Sequence, residues 1–214
     1  MTNYAWPSTV IPNDITVEFV SNANRFVAPQ TGIPSGQSRD AEVIRMSMAF
    51  KFLQGVSQTS GVATSTNARS TLMGYLAKLA GPEHRAVIPM FGLNNLGAWS
   101  GTPLVDGANQ TGRQLSIDAS GEGSVTAYGY AGDWFSVNGE LKILTSNADL
   151  SLDNVTLDIW PPLRRSPDDN AAINTTAPTG IFMLEADPVW RFVPGPNGKP
   201  MGSLTVSFIE DPYL

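Results

Sequence analysis

The chain has 214 residues, of which 42% are hydrophobic and only 15% are charged, and its formal net charge is −6. An acidic chain without a basic stripe is a poor match for nucleic acid, because phosphate binding needs clustered Lys and Arg. There is no cysteine, which excludes disulfides and thiolate chemistry and fits assembly in a reducing cytoplasm. No signal peptide is predicted, because the N-terminal residues show no basic region followed by an apolar run. No membrane insertion is predicted, because no stretch approaches the roughly 18 apolar residues of a spanning helix.

Residues 1–12 are predicted to form an extended arm that lies against another surface. Trp6-Pro7 and Ile11-Pro12 each place proline after a large apolar residue, and proline biases the preceding residue toward an extended backbone. An apolar arm of this kind is a candidate contact with a neighbouring subunit. The candidate assembly residues are Trp6, Pro7, Ile11 and Pro12.

Alternation of apolar and polar residues predicts the first strands. In residues 14–20 apolar side chains recur at every second position, and residues 25–27 begin a second, shorter strand. The longest alternation spans 42–52, and a helix would scatter its apolar residues around the axis. The Gly- and Pro-rich segment 33–40 and the polar segment 54–65 are predicted loops.

Residues 66–80 form the one predicted helix. Its leucines recur at helical spacing, so the helix is expected to lay an apolar stripe on a sheet. The stripe consists of Leu72, Leu76 and Leu79. Gly81-Pro82 ends the helix, because glycine accepts the left-handed cap and proline cannot continue a helix. His84 follows, and a single histidine without cysteine does not make a usual zinc site, so no metal site is predicted.

A Gly- and Asn-rich segment at 92–107 breaks the periodicity and predicts a boundary between two modules. The short strands that follow are typical of a small barrel. They are predicted at 114–118, 124–130, 132–145, 151–160 and 171–173. The clearest is the hairpin at 132–145, because Asn138-Gly139 suits a two-residue type I′ turn. Its arms alternate, so each arm is predicted to have one buried face and one wet face, with Lys142 on the wet face.

The last strands, within 180–194 and 203–209, match those of the first module in length and alternation. They are therefore predicted to return to its sheet, which makes the middle module an insertion in an exposed loop. The predicted fold class is mainly β, with a β-sandwich-like domain that carries one amphipathic helix, and an inserted small β-barrel domain. The predicted domains are 1–100 together with 177–214, and 101–176.

Four segments form a further pattern through their order along the chain. They are Trp6-Pro7 with the next strand and Ser21-Asn22-Ala23-Asn24-Arg25-Phe26; Leu79-Ala80-Gly81-Pro82 after the helix; residues 101–112 (GTPLVDGANQTG); and residues 132–142 (GDWFSVNGELK), continuing through Pro161-Pro162-Leu163-Arg164. In this order they resemble the distal tail proteins of long-tailed bacteriophages, a class of ring protein at the junction of the tail tube and the tail tip.

The resemblance implies a structural virion protein and not an enzyme. Six copies would form a ring below the tail tube, through the domain at 1–100 and 177–214, around a channel for DNA or the tape-measure protein. The implied partners are further copies of this chain, the tail tube protein and the tail hub and tip proteins. The implied location is the phage tail, assembled in the host cytoplasm. The class has no catalytic residues, metal ligands or cofactor to carry over. Low charge suits flanks that are buried between neighbouring subunits.

Other functions stay open from the residues alone. A carbohydrate-binding module for host attachment would use Tyr128, Tyr130 and Trp134 as an aromatic platform in the inserted barrel, although aromatic residues at alternate positions are more often core. Another tail tube or terminator protein would share the same architecture. A hydrolase would need paired carboxylates, and acids in Pro- and Asn-rich loops are usually solvated. The pairs considered are Asp168 with Asp169, and Glu185 with Asp187.

Overall fold

The computed structural model describes residues 1–21, 23–27, 29–37, 42–53, 65–92, 94–194 and 200–211. Within these ranges the protein is mainly β, with 49% strand and a single helix that accounts for 7%. The predicted fold class is therefore confirmed. The chain divides into two compact units. The first contains Met1–Glu18, Arg45–Phe91 and Gly180–Asp211, and the second contains Phe19–Ile44 and Gly92–Thr179.

The strands and the helix are numbered in chain order. In the first half of the chain they are β1 (Asn3–Ala5), β2 (Asp14–Val20), β3 (Asn24–Val27), β4 (Pro34–Gln37), β5 (Val43–Leu53), α1 (Ser65–Leu79) and β6 (Arg85–Pro89). In the second half they are β7 (Leu104–Val105), β8 (Gly112–Asp118), β9 (Val125–Gly129), β10 (Trp134–Val137), β11 (Glu140–Leu144), β12 (Ala148–Leu150), β13 (Asn154–Leu163), β14 (Ile173–Asn174), β15 (Thr179–Leu184), β16 (Arg191–Pro194) and β17 (Pro200–Glu210).

A seven-stranded sheet forms most of the first unit, in the order β1-β6-β15-β17-β5-β2, with β16 beside β17. β17 runs antiparallel to β5, from Met201 opposite Leu53 to Ile209 opposite Arg45. The predicted return of the C-terminal strands to the first sheet is confirmed by this pairing. The apolar face of β5 is buried, as its alternation predicts. Its buried side chains are Ile44, Met46, Met48 and Phe50.

Helix α1 agrees with the predicted helix to within one residue at each end. The predicted leucine stripe is buried, so this face lies against the rest of the unit. On the same helix, the Tyr75 hydroxyl donates to the Tyr4 carbonyl of β1 at 2.9 Å. Ala80 and Gly81 have φ of 49° and 66°, so the left-handed end of the helix spans two residues and not the glycine alone.

The predicted loop at 33–40 is wrong over four of its residues, because β4 pairs antiparallel with β3. Val27 lies opposite Pro34 and Phe26 opposite Ser35. Backbone pairing defines this strand, and Gly, Pro and Ser give it no apolar alternation that a sequence pattern could detect. The predicted loop at 54–65 lies outside the described residues apart from Ser65, which begins α1. Residues 195–199, between the predicted strands at 180–194 and 203–209, also lie outside them.

The second unit contains a six-stranded sheet, in the order β14-β10-β11-β13-β8-β7, that nearly closes into a barrel. Its edge strands meet, because Leu104 bridges Ala172 and the Ile173 N–H donates to the Pro103 carbonyl at 3.0 Å. β9 and β12 pair separately. The core of the unit is a cluster of buried apolar side chains that includes Trp99, Leu115, Ile117, Tyr128, Phe135, Leu157 and Ile159.

The division into units differs from the predicted domains. The second unit begins at Gly92 instead of residue 101, and it also takes in Phe19–Ile44. Trp99 explains the earlier start, because its indole is part of the buried core of this unit. The Asn95 amide also bonds to the second unit, donating to the Trp134 carbonyl at 2.7 Å. The Gly- and Asn-rich segment therefore folds against the barrel and does not act as a linker.

β10 and β11 form the predicted hairpin, with Val137 opposite Glu140 across a two-residue turn. Asn138 and Gly139 have φ of 52° and 80°, both positive as a type I′ turn requires. The predicted wet face of the hairpin is wrong. Lys142 lies opposite the core residue Phe135 and is fully enclosed, and Ser136, on the other face, is buried as well.

Replacing Asn138 and Gly139 together by alanine is expected to lower the free energy of unfolding by about 1–3 kcal/mol, because each alanine would be held at positive φ. Thermal melting followed by circular dichroism measures the change. Gly74→Ala is the matched control, since a Cβ at this helical position meets nothing within 4 Å and alanine is the better helix former. An unchanged melting temperature for the double variant would contradict the turn conformation.

Candidate functional site

The predicted assembly arm is folded into the first unit. The Trp6 indole Nε1 donates to the Val10 carbonyl at 2.7 Å, and its ring centre lies 5.3–6.2 Å from those of four other aromatic rings. Those rings belong to Phe50, Tyr75, Phe91 and Phe208. Trp6 is therefore a core residue and not the predicted assembly contact. Pro7 and Pro12 are half-buried, whereas Ile11 is 64% exposed and remains a candidate.

The structure does not bring the predicted aromatic platform together. Tyr128 is fully buried, its hydroxyl donates to the Ser100 carbonyl at 3.0 Å, and its ring packs against Trp99. Burial raises the pKa of Tyr128 to about 12. Trp134 is buried as well, and only Tyr130 is substantially exposed. Tyr128 faces the core of the barrel, as aromatic residues in short strands commonly do.

The acids considered for a hydrolase have structural partners or lie in solvent. Asp169 accepts a hydrogen bond from the Gly107 N–H at 2.9 Å, and Glu185 pairs with Arg45 at 2.9 Å. Asp168 and Asp187 are exposed. Across the residues that the structure describes, no three His, Asp or Glu side chains are grouped as metal ligands. No helix in the described ranges is both long and apolar enough to cross a membrane.

A row of large side chains crosses three strands of the barrel-like sheet. Trp134 of β10 lies opposite Ile143 of β11, which in turn lies opposite Trp160 of β13. Directly paired residues share a face of a sheet, so the three side chains form one ladder. Phe19 covers the ladder, with its ring stacked on Trp134 at 6.1 Å and edge-on to Trp160 at 4.7 Å.

An open cleft of about 400 Å³ lies beside this ladder. The described residues that line it are Phe19, Ser21, Ile143, Leu144, Thr145 and Trp160. Phe19 is 53% exposed although its alternation places it with the apolar side chains of β2. The sequence carried no signal for this site, because the cleft depends on which strands pair and on Phe19 crossing over them.

Asp133, at the entrance to the hairpin, holds the segment before the barrel in place. Its carboxylate accepts hydrogen bonds from the N–H groups of Leu96 at 2.7 Å and Gly97 at 2.9 Å. It also accepts from the Tyr130 N–H at 2.9 Å and from the Trp99 indole at 2.8 Å. Burial alone would raise the pKa of Asp133, but these four donors together lower it below its usual value.

A buried ion pair lies on the core face of the hairpin, because Lys142 is opposite Phe135 and Glu140 is opposite Val137. The Lys142 ammonium lies 2.6 Å from the Glu140 carboxylate and donates to the Pro162 carbonyl at 2.9 Å. The same carboxylate accepts from the backbone N–H groups of Arg164 at 3.3 Å and Arg165 at 3.2 Å. The charges are thus satisfied inside the protein, which is the condition for burying them.

These two buried arrangements hold the barrel together and have no group poised for chemistry, so the open aromatic cleft is the candidate binding site. No protein-family model matches the chain, and a search of curated proteins finds no match.

Proposed function

We propose that this chain is a structural virion protein of a bacteriophage tail, one subunit of a six-copy ring that joins the tail tube to the tail tip. The observation that carries the proposal is the ordered resemblance of four segments. Three of these segments have defined roles in the fold. Trp6 fills the core of the first unit, Gly81 helps to end α1, and Asn138-Gly139 forms the hairpin turn.

The surface supports an assembling subunit. A closed ring uses a heterologous contact, in which one surface of a subunit meets a different surface of its neighbour. Large apolar side chains are more than a third exposed at several separate places along the chain, of which only 15% is charged. They include Ile11, Phe26, Val27, Ile33 and Val189. Burying such side chains against neighbouring copies, the tube protein or the hub would remove their apolar surface from water.

Ile11→Ser and Phe26→Ser are expected to leave the subunit folded but to impair its incorporation into tails. Both side chains are exposed, 64% and 53%, so neither substitution opens a cavity in the core. Circular dichroism checks the fold, and electron microscopy of phage complemented with each variant checks the tail. Leu152→Ser, at a 79% exposed loop position, is the matched control.

Tails with normal tips built from both variants would refute the role of these side chains. Absence of this protein from purified virions would refute the whole proposal. If this protein were located in the tail elsewhere than at the tube-to-tip junction, that result would instead favour a tube or terminator protein. Light scattering adds an independent measurement, because a ring in solution has a mass that is a multiple of 22.9 kDa.

A further inference from the structure

We propose that the cleft beside Phe19 and Trp160 binds a neutral sugar through one pyranose ring. The site lies within the second unit and differs from the platform predicted from the sequence, since neither Tyr128 nor Tyr130 lines it. The proposal does not depend on the ring-forming role, because it rests on the geometry and chemistry of the cleft alone.

The walls of the cleft suit the apolar face of a sugar. The ring centres of Phe19 and Trp160 are 4.7 Å apart and the ring planes are inclined at 74°, so one ring meets the other edge-on and the two form a corner. Phe19 is held in this position by its stack on buried Trp134. An aromatic wall that is already ordered offers apolar area to the C–H groups of a pyranose with little loss of side-chain freedom.

The rim of the cleft suits the hydroxyl groups of a sugar. Ser21 and Thr145 line it and are exposed, and each hydroxyl can both donate and accept a hydrogen bond. None of the six described lining residues is charged, so these residues offer no ion pair to a phosphate or carboxylate. Its volume of about 400 Å³ lies within the usual range for small-ligand sites.

The test titrates the intact protein with cellotetraose, maltotetraose and chitotetraose. Calorimetry and saturation-transfer NMR measure the binding. At least one of these sugars is expected to bind with a Kd of about 1 mM or tighter. Phe19→Ala is expected to weaken that binding about tenfold and Thr145→Val about threefold, because one removes an aromatic wall and the other a single hydrogen-bonding group.

Tyr130→Ala is the matched control, since it removes an exposed aromatic residue of the same unit that lies outside the cleft, and binding should stay as in the wild type. Melting curves confirm that the variants are folded. Three results would overturn the proposal: no binding of any of these sugars at about 10 mM, binding that is unaffected by Phe19→Ala, or binding of a tetraproline peptide in place of the sugars.

Discussion

Asp133→Ala is expected to unfold the second unit or to lower its free energy of unfolding by about 4 kcal/mol or more, because the substitution leaves four donors without their acceptor. Three are backbone N–H groups and the fourth is the buried indole of Trp99. The loss should reach beyond the site, since these bonds fix the segment that carries Trp99 into the core. Urea unfolding followed by tryptophan fluorescence measures the change.

Two further variants separate the carboxylate from its surroundings. Asp133→Asn keeps one acceptor oxygen and similar volume, so its stability should fall between those of the wild type and Asp133→Ala. Asp168→Ala removes an exposed acid of the same unit and should melt like the wild type. Wild-type stability of Asp133→Ala would show that the four bonds are not needed.

The Asp133 carboxylate also predicts sensitivity to acid. Because its pKa is lowered in the folded state, the carboxylate stabilises the fold fully above its unfolded pKa of about 4. That contribution is lost as the pH falls through the lower, folded pKa. Stability of the wild type should therefore drop below about pH 4, and the drop should be smaller in Asp133→Asn, which has no carboxylate to protonate.

Glu140→Ala is expected to destabilise the protein by about 3–5 kcal/mol, because it removes the partner of a fully buried ammonium group. It also removes the acceptor of the Arg164 and Arg165 N–H groups. Lys142→Met should cost less, since the remaining carboxylate still accepts both backbone N–H groups and the methionine fills similar space. Urea midpoints of the two variants give the comparison.

The double variant Glu140→Gln/Lys142→Met is the control for the ion pair itself. Replacing both charges by neutral groups should recover part of the stability lost in Glu140→Ala, because no unpaired charge remains. If Glu140→Ala were more stable than Lys142→Met, the Glu140 carboxylate would not be the group on which the Lys142, Arg164 and Arg165 contacts depend.

Features set by neighbouring residues could be predicted from the sequence. The Asn138-Gly139 turn depends on two residues that tolerate positive φ, and the strand at β5 depends on an alternation that no helix could bury. Helix α1 likewise follows from its leucine stripe and the Gly81-Pro82 stop. In each case the physical cause lies within a few positions along the chain.

Features set by what covers a face could not be predicted. Alternation puts Lys142 on the opposite face from Leu141, but it does not say that this face is also buried. Trp6 was predicted to be an assembly contact, because the aromatic rings that bury it come from distant segments of the chain. The aromatic cleft is the extreme case, since Phe19 and Trp160 meet only after the strands have paired.

The pairing of β17 with β5 joins a strand that is synthesised early to one that is synthesised late. Gly92–Thr179, which contains all six strands of the barrel-like sheet, leaves the ribosome before β17 does. The barrel can therefore form while the partner of β5 is still being made, whereas β5 waits with its Met- and Phe-rich face incomplete. Such a face is a target for chaperones and for aggregation until the chain is released. A chain truncated after residue 199, which lacks β17, should thus hold a folded barrel and an unfinished first sheet.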